Sequence, residues 1–248
     1  MEPVFRTLEI LASMAVRAAG STITFEGLHN IPVRGGAVVV INHTSYVDFL
    51  PAALGTRRRR RRIRFMIKSE MQNVHLVNFL IKHTGTIPVN RQAGADAYAE
   101  AVRRLRAGEL VGVYPEATIS RAFVLKEFKS GAARMALEAQ VPIVPCIVWG
   151  AHRVWTKDHP KRLGHNKIPF TVRYGRPLAP VGTAAELEGA LRDQMSTILH
   201  AVQSAYPHPE GEYWVPAELG GGAPTLDEAK KLDEAELAER ARRATEHR

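Results

Sequence analysis

The sequence predicts a single α/β domain with a mostly parallel central sheet flanked by helices. Two runs carry most of that prediction: Ala37-Val38-Val39-Val40-Ile41 is apolar at every position, and so is most of Val141 to Trp149. Strands buried on both faces read this way, and they belong to parallel sheets covered by helices on both sides. Alternation is the third observation. Short apolar strands at 22–26, 37–41, 63–67, 85–89, 110–113, 142–149 and 167–174 are interleaved with helical patterns near 46–54, 73–83, 92–107, 129–140 and 184–205.

Residues 3 to about 19 precede this pattern as an amphipathic helix. Val4, Phe5, Leu8, Leu11, Ala12, Ala15 and Ala19 fall at helical spacing, and Gly20 supplies a stop. The pattern fits a helix capping the core as well as an interfacial anchor. At the other end, Gly220-Gly221-Gly222 reads as a flexible joint, and the last 25 residues are charge-rich, a solvent-facing helix or loose tail. The expected organisation is therefore a membrane-associating helix over 1–20, a main domain over 21–216 and a charged tail over 217–248.

A chain of 248 residues can bury one large core but would crowd two. Lys and Arg number 34 against 25 acidic residues, a net charge of +9 that suits an anionic partner: nucleic acid, an acidic membrane face or phosphorylated small molecules. The single cysteine, Cys146, excludes an internal disulfide and a multi-cysteine zinc site. No secretory signal is visible, and no run reaches the roughly 18 apolar residues of a membrane span. The expectation is a protein that lies on a membrane without crossing it.

Chemistry enters at Asn42-His43-Thr44-Ser45-Tyr46-Val47-Asp48, directly after the strand at 37–41. Open α/β sheets build their sites beyond the carboxyl ends of strands. On one continuous helix, residues five apart point about 140° away from each other, so His43 and Asp48 meet only if the histidine is in the loop and the aspartate begins the next helix. Thr44 or Ser45 would then cap that helix. An imidazole backed by a carboxylate accepts a proton from an alcohol, the carboxylate fixing the tautomer. Taken alone, the pair reads equally as a histidine closing a strand and an aspartate capping a helix. No G-x-S-x-G serine is present, which favours direct attack by a substrate hydroxyl over a covalent acyl-enzyme.

Gly85-Thr86-Ile87-Pro88-Val89-Asn90-Arg91 ends a strand in an arginine, and Val113-Tyr114-Pro115-Glu116-Ala117-Thr118-Ile119-Ser120 again follows a strand directly. An arginine fork suits phosphate, and a strand-end glutamate can accept from a hydroxyl or orient the arginine; singly, each reads more readily as a surface charge. Val141-Pro142-Ile143-Val144-Pro145 is an apolar wall.

In this order the four blocks resemble the glycerolipid acyltransferase family, the group containing bacterial 1-acyl-glycerol-3-phosphate acyltransferases of the PlsC type. That family carries N-H-x-x-x-x-D, G-x-I-x-x-x-R, F-P-E-G-T-R-S and V-P-I-x-P, and the resemblance spans about residues 22 to 178. It implies that His43 is the general base and Asp48 its orienting partner. It further implies that Arg91 and Glu116 bind the glycerol phosphate with Thr118 nearby, and that Lys68 adds a phosphate contact. The implied donor is a long-chain acyl-CoA or acyl carrier protein, with no further cofactor. The implied acceptor is a lysophosphatidic acid, acylated to phosphatidic acid in phospholipid biosynthesis at the cytoplasmic face of the membrane. Glycerol-3-phosphate or another glycerolipid or glycolipid acceptor is the alternative. Ala117 and Ile119 depart from the family's glycine and arginine; Arg121, two positions on, is the candidate replacement ligand. The string Tyr-Pro-Glu-Ala-Thr-Ile-Ser-Arg is similar to actinobacterial members.

Arg57 to Arg62 with Arg64 form the most basic segment, expected as a loop between helix and strand. The run lacks interleaved aromatics for stacking bases, so lipid headgroups or the donor are preferred to nucleic acid. A non-enzymatic membrane or nucleic-acid binder is the distant alternative. No histidine spacing suggests a metal site. Trp149 is expected in the core; Trp155 and Trp214 fit the core or a headgroup interface.

Overall fold

The computed structural model describes residues 3–70, 75–90 and 94–246. Helix α1 (Pro3–Ala18) leads into β1 (Thr22–Glu26), β2 (Ala37–Ile41), α2 (Phe49–Arg58), β3 (Ile63–Lys68), α3 (His75–Thr84) and β4 (Ile87–Val89). There follow α4 (Gly94–Arg106), β5 (Leu110–Val113), α5 (Gly131–Ala139), β6 (Ile143–Trp149), β7 (Pro169–Tyr174), α6 (Ala184–Ser204) and α7 (Leu226–Glu246). The seven strands form one sheet in the order β1-β7-β6-β2-β5-β3-β4. Only β6 and β7 pair antiparallel; the other neighbours are parallel.

The β2 run is apolar throughout because its two faces serve two cores. Val38 and Val40 pack with residues of α4, α5 and α6, whereas Ala37, Val39 and Ile41 pack on the side of Ala52 in α2. Trp149 and Trp214 are fully buried in the first core. Because β6, β2 and β5 are adjacent and parallel, the loops that leave their carboxyl ends emerge side by side on one edge.

Two local expectations need correction, and a third, for α1, becomes specific. Helix α2 begins at Phe49 and runs on through Arg58, so the arginine run is not all loop. Arg57 and Arg58 complete its last turn, where cations complement the helix dipole. Arg57 Nη1 donates to the Glu9 carbonyl (3.2 Å) and to Ser13 Oγ (3.1 Å), and Arg62 Nε pairs with Glu9 at 3.4 Å. Arg61 binds three carbonyls, those of Pro32 (2.6 Å), Gly35 (2.8 Å) and Gly108 (2.7 Å). These arginines fasten α1 and two turns to the domain. They do not form a free basic loop, which weakens the nucleic-acid alternative further.

Secondly, α1 turns Phe5 and Glu9 inward, with the Arg62 guanidinium over the Phe5 ring at 4.9 Å. Ile10, Leu11 and Met14 remain exposed. No helix among the described residues is long and apolar enough to cross a membrane. Thirdly, the glycine triplet is packed, not loose. A Cβ on Gly221 would stand 1.9 Å from the Val215 carbonyl oxygen, and the N–H groups of Gly221 and Gly222 donate to Pro216 and Glu212. Beyond it the charged tail is helix α7, opened by a Thr225–Glu228 capping pair.

Arg61→Ala should lower unfolding stability by about 2 kcal/mol, since three carbonyls lose a charged donor. Arg60, exposed and in the left-handed region (φ 58°), should tolerate alanine within about 0.5 kcal/mol. Urea melts of both variants test this, and equal losses would refute the structural role of Arg61.

Candidate active site

Three loops from β2, β5 and β6 build the site. Asn42, fully buried, extends the β2–β6 ladder with its side chain: Nδ2 donates to the Val148 carbonyl (3.0 Å) and Oδ1 accepts the Val148 N–H (2.7 Å). Sequence reasoning missed this role. The signal was an amide ending an otherwise apolar strand, where the ladder must be continued by a side chain. The next residues are held from the β6 side. Ser45 Oγ lies 2.6 Å from the Trp155 carbonyl, and Thr156 Oγ1 donates to the Thr44 carbonyl at 2.8 Å.

His43 and Asp48 do converge, with Nδ1 3.2 Å from Oδ2. Asp48 stands immediately before α2 with helical backbone angles, but it makes no side-chain cap. Its carboxylate folds back, and Oδ2 also accepts the N–H groups of Thr44 (2.8 Å) and Ser45 (2.7 Å). The expected cap is met by Ser45, whose Oγ accepts the Val47 N–H at 3.1 Å in the turn that leads into α2, while the aspartate organises the rest of the loop. With Nδ1 committed to Asp48, Nε2 is the nitrogen left to receive a proton. The imidazole stacks on Tyr114 from the β5 loop, ring centres 4.1 Å apart, and keeps 19% of its side chain exposed.

Glu116 straps these loops together. Oε1 accepts the His43 N–H (2.9 Å), Oε2 accepts the Lys126 N–H (3.1 Å), and the His43 carbonyl accepts the Ser120 N–H (2.7 Å). Both ends of the His43 backbone are thus held by the β5 loop. Glu116 is 4% exposed, and each oxygen already has a backbone partner. Ala117, where the family has glycine, adopts φ 59°. Thr118 Oγ1 accepts from Lys126 Nζ at 2.7 Å. Arg121 is buried but answers to carboxylates: Asp158, Asp233 and Glu236 surround its guanidinium. Lys68, at the end of β3, is exposed and pairs with Glu70 at 2.9 Å. Arg91 lies outside the described residues. Among the described residues no cluster of three or more His, Cys, Asp or Glu could hold a metal ion.

The acyltransferase family model matches residues 22–149, from β1 through β6. The chain belongs to the acyltransferase family. Its relatives include the 1-acyl-sn-glycerol-3-phosphate acyltransferases of Borreliella burgdorferi and Cocos nucifera. The first is 27% identical over 151 residues, which is 56% of each chain. The second is 27% identical over 176 residues, 68% of this chain and 54% of the relative. The chain spans a little over half the length of these two relatives. Among solved structures, PlsC of Thermotoga maritima, a 1-acyl-sn-glycerophosphate acyltransferase, superposes with a TM-score of 0.69 at 24% identity. It covers 83% of this chain and 82% of its own, which establishes the shared fold.

Within this acyltransferase fold, burial acts in the same direction on the two buried carboxyls. Burial raises the Asp48 pKa, opposed by His43 and by the N–H groups of Ser45 and Thr44. Burial also pushes Glu116 up to about 7, against the pull of the His43 and Lys126 N–H groups. A native pKa above the ordinary 4.5 means the folded state keeps a proton that the unfolded chain has lost. That contribution is present in full below pH 4.5 and disappears as pH rises through about 7. Thermal melts between pH 4.5 and 8 should therefore show a fall in stability from this group, and Glu116→Gln should remove that component of the slope. Parallel curves for the two proteins would contradict the assignment.

Proposed function

We propose that this chain transfers an acyl group from a thioester, acyl-CoA or acyl carrier protein, to the free hydroxyl of a 1-acyl-glycerol-3-phosphate. The observation that carries this reading is the His43–Asp48 pair held by three neighbouring loops. The relatives, named for that acceptor, support the choice of substrate.

In the proposed reaction, His43 Nε2 takes the proton of the acceptor hydroxyl as its oxygen attacks the thioester carbonyl. Asp48 stabilises the imidazolium so formed. Collapse of the tetrahedral intermediate breaks the carbon–sulfur bond and expels the thiolate, which recovers the proton from His43. The products are a phosphatidic acid and a free thiol, with no other cofactor drawn in. Asp48 meets its task without touching substrate: it orients the ring and supplies the counter-charge.

We place this reaction at a membrane surface, on the cytoplasmic face. Ile10, Leu11 and Met14 of α1 are exposed, and so are Tyr46 within the His43 loop and Phe49 directly after it. Apolar side chains of this kind enter the headgroup boundary when a helix lies in the interface plane.

His43→Ala should lower turnover of lysophosphatidic acid with palmitoyl-CoA by about 10²–10⁴-fold, and Asp48→Asn by an amount within that range. Mass spectrometry of the phosphatidic acid, with circular dichroism as the folding control, reads both. A folded His43→Ala protein with near-normal turnover ends the proposal. For the membrane, the double variant Leu11→Glu/Met14→Glu should bind anionic vesicles at least about tenfold more weakly, each lost apolar contact being comparable to burial of a Leu side chain. Unchanged sedimentation would remove α1 from the interface.

A further inference from the structure

Three cations lie beside the catalytic loop. Lys126 and Arg121 come from the β5 loop, and Lys157 from the loop after β6. Lys126 is tied directly to the centre: its N–H and the His43 N–H share the Glu116 carboxylate, while its Nζ holds Thr118 Oγ1. The cluster is therefore one side chain away from the backbone of the catalytic histidine.

Helix α7 covers these cations with two acids from one face. Asp233 and Glu236 are three residues apart, so they project together. Asp233 Oδ1 meets Arg121 Nη1 and, at 3.1 Å, Lys157 Nζ; its Oδ2 lies 2.5 Å from Lys126 Nζ. Glu236 Oε2 takes Arg121 Nη2 at 2.9 Å and Lys157 Nζ at 2.8 Å. Burial raises the Asp233 pKa, but the two lysines outweigh it and hold the group ionised. The carboxylates thus occupy positions that phosphate oxygens would take, because cations converging from several sides are what a phosphoryl group requires.

Charge and packing both mark the helix as a removable occupant. With α7 lifted, the three cations would keep Asp158 and, beside Lys126, the Glu116 carboxyl, which leaves an excess of at least one positive charge. A phosphomonoester carries about −1.5 to −2 at neutral pH. The apolar grip of α7 is slight: Ala229 is buried, but Leu226, Leu232 and Leu237 are all exposed. Beside the ion pairs a cavity of about 550 Å³ opens between Arg121, Phe123, Lys157 and Leu232. Because Ala223 and the glycines before it are anchored to the domain, release would begin at Pro224.

We propose that Arg121, Lys126 and Lys157 form the binding site for the phosphomonoester of the acceptor, and that α7 is an anionic cap which that phosphate displaces. The proposal rests on the acyltransfer reading for the identity of the acceptor, though not for the site itself.

The test uses the full chain and the variant Asp233→Asn/Glu236→Gln, with glycerol 3-phosphate as the probe in calorimetry. The variant should bind the probe about tenfold more tightly than wild type, a coupling of ordinary allosteric size. In wild type the probe should accelerate hydrogen exchange of the 226–246 amides. Lys157→Ala placed in the variant should undo the gain. Equal affinities, or exchange over 226–246 that the probe leaves unaltered, would overturn the cap. A gain for coenzyme A equal to that for glycerol 3-phosphate would overturn the assignment to the acceptor. Should the double variant fail to fold, Asp233→Asn alone is measured against the same two criteria. Tighter binding without any acyl transfer would keep the site and discard the acyltransfer reading; normal transfer with unchanged binding would do the reverse.

Discussion

The structure depends on one buried carboxylate, that of Glu116. Parallel strands β2, β5 and β6 deliver their loops to one edge, but adjacency alone does not fix the backbone of a histidine there. Glu116 does so by accepting one N–H from each of two loops, while Ser120 closes the circle on the His43 carbonyl. A backbone amide donated to a carboxylate is stronger than a neutral hydrogen bond and more sensitive to position. The cost is a charge out of water, which appears as a pKa near 7. The same residue transmits geometry outward, since Lys126 carries both the strap and the first of the three cations.

The sheet was legible because doubly buried strands leave no polar position to blur the pattern. All seven strands lie within two residues of their expected limits, and the deviations have local causes. Gly85 (φ 64°) turns the chain before β4 can begin, and Lys167 (φ 53°) does the same before β7. Helix α2 starts later than its apolar spacing suggests because Asp48 spends its oxygen on the N–H groups of Thr44 and Ser45. No periodicity registers such a choice. The His43–Asp48 pair was legible for the opposite reason: spacing excluded a shared helix and required a loop-to-helix junction, which is where both residues stand.

What sequence could not convey was the destination of charge. Arg61 and Arg60 are neighbours in one basic run, yet the first binds three carbonyls and the second faces solvent. Asp233 and Glu236 look like any acids of a solvated helix until the fold brings Arg121, 112 and 115 residues earlier, beneath them. Ion pairing at such separation has no local signature. It follows from the tertiary path, and the glycine triplet that looks like a joint is instead the place where that path is pinned.

The His43–Asp48 pair is also arranged to favour the proposed proton transfer. Asp48 is fully buried, and its Oδ2 collects His43 and two backbone N–H groups while Oδ1 has no partner. A carboxylate left partly unsolvated in a low-dielectric setting gains most from a full positive charge close by. In the proposed reaction that charge is absent while His43 is neutral and arrives when the ring takes the acceptor's proton. The interaction is therefore weaker before proton transfer than after it, and only such differential interactions accelerate a reaction. An aspartate satisfied on both oxygens by backbone donors would hold the loop equally well, but it would have less to gain from the imidazolium.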